Sequence, residues 1–139
     1  MSNEQASVNI VLESETDGQK QERKFAGEWF RKGETIYLRY EETDEMYGAI
    51  RTLIRWRAGE LQVTRRGGVD SEQRFIADTR LMGRYSSPHT KFAMEIETTY
   101  LQLEHSGLPL RMEWHYGLQV NGQRAGLFKV RLQAEEAGK

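Results

Sequence analysis

Cysteine is absent from this chain of 139 residues. That removes disulfide stapling, thiolate catalysis and Cys-ligated zinc together, and it points to a reducing compartment. Long apolar runs are absent as well. Nothing approaches the ~20 apolar residues of a membrane helix. The opening stretch, "MSNEQASVNIVLES", has neither the basic start nor the apolar core of a secretion signal. A cytoplasmic protein without a membrane segment is expected. An excess of charge is missing too: 20 Lys and Arg face 21 Asp and Glu. That balance supplies no global field to attract nucleic acid or an anionic membrane.

The patterns of most chemistry are also lacking. The three histidines, His89, His105 and His115, form no H-x-H or H-E-x-x-H spacing. His89 and His105 fall in expected turns, and His115 alternates outward between Trp114 and Tyr116. No dedicated metal site is expected. Ser71, Ser86 and Ser87 have no G-x-S-x-G context. Gly67-Gly68 is followed by no helical pattern, and no phosphate-loop signature occurs. The residues thus assign no catalytic group and no cofactor, and the expectation is a protein that is not an enzyme.

What the chain does have is alternation. "SVNIVLE" puts Val8, Ile10 and Leu12 on one face, and "KFAGEWF" aligns Phe25, Gly27 and Trp29. "TIYLRYEE" aligns Ile36, Leu38 and Tyr40, with Glu42 next in phase. "AIRTLIRWR" sets Ile50, Thr52, Ile54 and Trp56 against Arg51, Arg55 and Arg57, and "ELQVTRR" puts Leu61, Val63 and Arg65 in register. Similar runs continue to "LFKVRLQ", punctuated by turn signals such as Asp17-Gly18, Ala58-Gly59 and Asn121-Gly122. A chain only 37% hydrophobic can still build a core this way, because a strand needs apolar residues only at alternate positions. About ten short strands predict an all-β barrel or sandwich, one domain over residues 1–139, with 1–6 and 135–139 frayed.

Three segments need separate treatment. Asp70 or Ser71 could cap a helix, but Phe75, Ile76, Leu81 and Met82 make no helical stripe, so residues 71–76 are read as a strand. In "FAMEIETTYLQL" the apolar phase changes after Ile96, which predicts a bulge, or a strand that changes environment, near Thr98–Tyr100. In "HYGLQVNGQRAGLFKV", a two-residue Asn121-Gly122 loop would set Tyr116 opposite Leu127 and turn Phe128 away. Either a three-residue loop or a bulge at Gly126 restores a common face for Tyr116 and Phe128.

Several clusters could carry function. Glu95 and Glu97 share a face in the polar phase, which suits cross-strand cations better than glycoside hydrolysis. Arg51, Arg55, Arg57 and Arg66 form a basic cluster suited to phosphate or single-stranded RNA. The neutral overall balance argues against nucleic acid, as does Trp56, which points to the opposite face. The apolar phase contains Trp29, Tyr40, Trp56, Trp114 and Tyr116, joined by Glu42 and Arg65. These seven are the candidate ligand-binding residues. Two readings stay open: a packed interior with Glu42 and Arg65 as a polar plug, or a pocket whose aromatic walls hold a small apolar or planar ligand.

Gly27, "YLRYEE" at residues 37–42, Arg66-Gly67, Phe75, Gly83-Arg84-Tyr85, Pro88 and "YGLQVNG" at residues 116–122 recur in an order that resembles one family. The chain is similar, over residues 8–133, to the YwiB-like proteins, uncharacterised bacterial β-barrels of the lipocalin-like (calycin) superfamily. It departs from that pattern after Pro88, where "SSPHT" lacks an early glycine. The resemblance implies an all-β, antiparallel up-and-down barrel of about eight to ten strands, and it implies no catalytic residue. A fold alone fixes no function. Three roles therefore remain: a small-molecule-binding barrel, a protein-interaction module, and an RNA-contacting regulator. The protein partner and the oligomeric state are not legible in the residues.

Overall fold

A computed structural model describes residues 3–104 and 107–138. His105, expected in a turn, lies outside the described residues. Ten strands follow one another: β1 (Asn3–Thr16), β2 (Gln19–Lys32), β3 (Thr35–Asp44), β4 (Gly48–Arg57), β5 (Glu60–Gly67), β6 (Asp70–Ile76), β7 (Thr79–Ser86), β8 (Lys91–Leu103), β9 (Leu110–Val120) and β10 (Gln123–Glu136). Each pairs antiparallel with its sequence neighbours, and β1 pairs with β10, so the sheet closes into an up-and-down barrel. Closure leaves no free edge strand.

The alternation determines which side chains enter the barrel. Val8, Ile10, Leu38, Ile54, Leu61, Phe75, Ile96 and Leu132 are all at most 2% exposed and belong to one core cluster. Their chain neighbours point to water, as period two requires. The connections follow turn chemistry. Asp17-Gly18, Ala58-Gly59 and Asn121-Gly122 hold positive φ at both central positions, with values of 49° and 90°, 49° and 81°, and 54° and 77°. That geometry matches the right-handed twist of the strands it joins.

Both expected irregularities occur. The β9–β10 register shifts between Arg124 and Gly126, which places Phe128 opposite Tyr116. The β8–β9 register shifts between Thr98 and Tyr100, and Leu101 and Leu103 return to the core side beyond it. The segment around 71–76 is strand β6. Residues 3–6 and 135–136, expected to fray, are instead paired strand. Gln5 lies opposite Phe30, and Glu136 opposite Val8. The reason is length: β1, β2 and β10 each run 14 residues, so residues 3–6 of β1 pair with β2 and residues 135–136 of β10 pair with β1.

Candidate functional site

Two places bring chemistry-bearing side chains together, one on each face of the wall. The first is a polar end of the barrel interior. Glu42 and Arg65 both follow the inward phase, on β3 and β5. Arg65 Nη2 donates to Glu42 Oε1 at 2.9 Å, and Arg23 Nη1 lies 2.6 Å from Glu42 Oε2. Phe25 stacks on Tyr40 with centroids 4.3 Å apart, and the Arg23 guanidinium sits 5.1 Å from the centre of the Phe25 ring. Burial, and then the charge of Glu42, raise the Tyr40 hydroxyl above the usual tyrosine range.

The other inward candidates are spread around the core. Trp114 is 4% exposed and Trp29 3%. Trp114 and Tyr116 flank Phe75, at 6.0 and 4.8 Å between centroids. Burial pushes the Tyr116 hydroxyl up to about 12. Trp56 is half-buried, opposite Ile36 and Leu61. Of the seven candidates, Tyr40, Glu42 and Arg65 therefore meet at the polar end, Trp114 and Tyr116 meet at Phe75, and Trp29 and Trp56 stand apart from both groups. Arg23 was not among them, although it lies two residues before Phe25 and so shares its phase.

The second place is an open groove of about 800 Å³ on the outer face of β1–β5. Phe30 and Tyr37 face each other near the Gly33-Glu34 turn and stack there, with centroids 4.7 Å apart and planes 10° from parallel. The Arg39 guanidinium covers Phe30 at 5.3 Å. Arg39 also donates to Glu28 at 2.7 Å, and that hydrogen bond and charge hold the Glu28 carboxyl below its usual range. Arg51 and Arg66 are opposite each other in register and complete the wall, with Leu53 and Thr64 between them and Arg39. Arg51 has no ion-pair partner among the described residues. Sequence reasoning missed Phe30 and Tyr37. Their one signal was aromatic residues in the polar phase on either side of a turn.

The remaining expectations resolve simply. Arg51, Arg55 and Arg57 share the exposed outer face. Glu95 and Glu97 face one cation on β7: Arg80 lies 3.0 Å from Glu95 and 2.8 Å from Glu97. His115 sits 2.6 Å from Glu113 and packs on the Tyr100 ring, and His89 is exposed in the loop before β8.

A closed antiparallel barrel of ten strands, with an aromatic interior and a cationic groove outside, defines the class of protein. The chain belongs to the family described as "Domain of unknown function (DUF1934)", whose model matches residues 7–132. It is similar to the uncharacterized beta-barrel protein YwiB of Bacillus subtilis (strain 168), at 23% identity over 128 residues. That match covers 92% of this chain and 89% of the relative. The crystal structure of the ywiB protein from Bacillus subtilis has the same fold. It matches with a TM-score of 0.75 and 19% sequence identity, over 98% of this chain and 94% of that one.

Proposed function

We propose that this barrel is a non-catalytic binding protein of the bacterial cytoplasm, lipocalin-like in architecture, that holds a planar anionic ligand in its outer groove. The observation that carries the reading is the Phe30–Tyr37 stack on the water side of the wall, beside Arg51, which makes no ion pair among the described residues. An exposed aromatic pair offers a flat apolar surface. An arginine held by no carboxylate within ion-pair distance among the described residues can donate to an incoming anion, although Glu41 stands opposite it in register. A planar anion can use both at once. Anilinonaphthalene sulfonate has this chemistry and reports binding by its fluorescence. It should bind one molecule per chain. Arg51→Ala or Tyr37→Ala should each weaken it about tenfold, equivalent to about 1.4 kcal/mol. Titrations unchanged by both substitutions would overturn the reading.

A second reading places a small apolar ligand inside the barrel. It is favoured by Trp29, whose buried Nε1 has no hydrogen-bond partner among the described residues. An unpartnered buried donor costs about 1–3 kcal/mol, which a ligand acceptor would relieve. Quenching of tryptophan emission by a fatty acid, lost in Trp29→Phe and kept in Arg51→Ala, would select this reading instead.

A further inference from the structure

The outer groove ends in two different recognition surfaces. At one end the Phe30 and Tyr37 rings lie nearly parallel, with the Lys32 ammonium 5.9 Å from the centre of the Phe30 ring. At the other end Arg51 on β4 stands directly opposite Arg66 on β5. Like charges directly opposite in an antiparallel pair repel. Here the two guanidinium groups are nevertheless kept together. Glu72 holds Arg66 at 3.2 Å, and Arg66 Nη1 donates to the carbonyl oxygens of Arg65, at 3.0 Å, and Ser71, at 3.4 Å. Arg66 therefore cannot swing away from Arg51 without losing these bonds. Four cations and two carboxylates line the groove, and one of the carboxylates, Glu28, is taken by Arg39. The lining as a whole favours an anion.

We propose that the groove takes a nucleoside polyphosphate, with the base on the Phe30–Tyr37 pair and the phosphates between Arg51 and Arg66. The inference rests on the reading of the groove as a planar-anion site and names the class of ligand. Its basis is the separation of the two ends. Glu41, in register with Arg51, lies four residues along β3 from Tyr37. At ~3.4 Å per residue that is roughly 14 Å of backbone. The Arg51 side chain spans part of it, so a compact planar anion can touch the rings and Arg51. Arg66 lies one strand spacing further, ~4.8 Å away, and such an anion leaves it unused. A ring joined to a distal phosphate chain reaches both guanidinium groups, and a phosphate between them turns their repulsion into attraction to a shared anion. Bases stack on aromatic faces whatever their sequence. Between the two ends the groove is lined by Ala26, Gly27, Leu53 and Thr64, short or uncharged residues that leave room for a sugar. Glu28 borders this middle stretch. Its carboxyl, held below the usual range first by the hydrogen bond from Arg39, is an ionised acceptor for sugar hydroxyls.

The test uses the full chain and isothermal titration calorimetry with adenosine triphosphate, adenosine monophosphate, adenosine and inorganic tripolyphosphate, without divalent cations. Adenosine triphosphate should bind one molecule per chain, at least tenfold tighter than each of the other three. It should displace anilinonaphthalene sulfonate, because both use the ring pair and Arg51. Tyr37→Ala should weaken the nucleoside triphosphate about tenfold and leave tripolyphosphate binding unchanged, whereas Tyr37→Phe, which keeps the ring, should bind like the parent chain. Arg66→Gln should weaken the triphosphate about tenfold and the monophosphate less than threefold, so that the preference between them collapses. Adenosine triphosphate bound no tighter than the monophosphate or tripolyphosphate would overturn the proposal, as would an equal loss of both nucleotides in Arg66→Gln. The planar-anion reading survives either result so long as Arg51→Ala weakens the sulfonate probe. Failure of that substitution to do so would instead strike the underlying reading.

Discussion

Glu42 and Arg65 meet on the inner face of the barrel wall, two strands apart, with Arg65 Nη2 2.9 Å from Glu42 Oε1. The carboxylate side chain is 6% exposed, while Arg65 is 31% and Arg23 41% exposed. The acid is thus desolvated and the two bases are partly wet. Replacing Glu42 by alanine leaves two cations facing each other with no anion between them. Because both still reach water, the loss should be smaller than for a fully buried pair. Glu42→Ala is expected to lower stability by about 1–2 kcal/mol, and Glu42→Gln by less, since the amide keeps one acceptor. Urea unfolding near neutral pH measures this. A midpoint identical to that of the parent chain would mean that the ion pair contributes nothing.

Gly27 lies opposite Tyr40 where β2 and β3 come together. A Cβ at this position would lie 2.4 Å from the carbonyl oxygen of Arg39 and 2.9 Å from Ile10 Cδ1. The carbonyl belongs to the neighbouring strand and cannot rotate away, so the strands must part. Gly27→Ala should therefore cost about 1–3 kcal/mol, although alanine is a modest residue elsewhere in strands. Ala26→Ser, one residue earlier on the exposed face, should change stability by less than about 0.5 kcal/mol. Thermal unfolding of the two variants side by side separates close strand approach from a general intolerance of β2.

The inner face of the barrel was legible wherever an apolar run fixed the phase. Trp29, Phe75 and Trp114 each sit in such a run, and each is buried. The bulge at Gly126 was legible because Tyr116 and Phe128 could not otherwise share a core. Arg23 was not, because "QKQERK" holds no apolar residue to set its phase and Phe25 alone reveals it. The outer groove was hidden for a different reason. The pairing of Phe30 with Tyr37 depends on the register set by the turn at Gly33-Glu34. The concavity around the pair depends on the curvature of the closed sheet. Neither is a property of a single strand, so alternation, which distinguishes inside from outside, says nothing about hollows on the outside.

Tyr116 gives a prediction in alkali. Burial pushes its hydroxyl up to about 12, against about 10 for a free tyrosine. Between these values the unfolded chain has released the proton and the folded chain still holds it. The corresponding stability is fully present below about pH 10 and is lost as pH rises towards about 12, amounting to roughly 2–3 kcal/mol. Tyr116→Phe removes the ionisable group and keeps the ring against Phe75. Its melting temperature should fall less steeply than that of the parent between about pH 9.5 and 11.5. Parallel curves for the two proteins would show that Tyr116 ionises equally in both states. Tyr40 and the lysines, common to both proteins, cancel in the comparison.

Adjacent residues on β8 test the alternation itself. Ile96 is 0% exposed and sits in the core cluster, whereas Glu97 faces water and pairs with Arg80, itself 57% exposed. Ile96→Ala removes buried methylenes and leaves a void that a closed barrel cannot easily collapse, because every strand is hydrogen-bonded on both sides. The expected cost is about 2–5 kcal/mol. Glu97→Ala removes one of two carboxylates beside a solvated guanidinium and leaves Glu95 in place 3.0 Å from Arg80, so the expected change is below about 0.5 kcal/mol. Chemical denaturation of both variants should show a difference of at least about 1.5 kcal/mol between neighbours joined by one peptide bond. Equal losses would mean that β8 does not divide cleanly into an inner and an outer face.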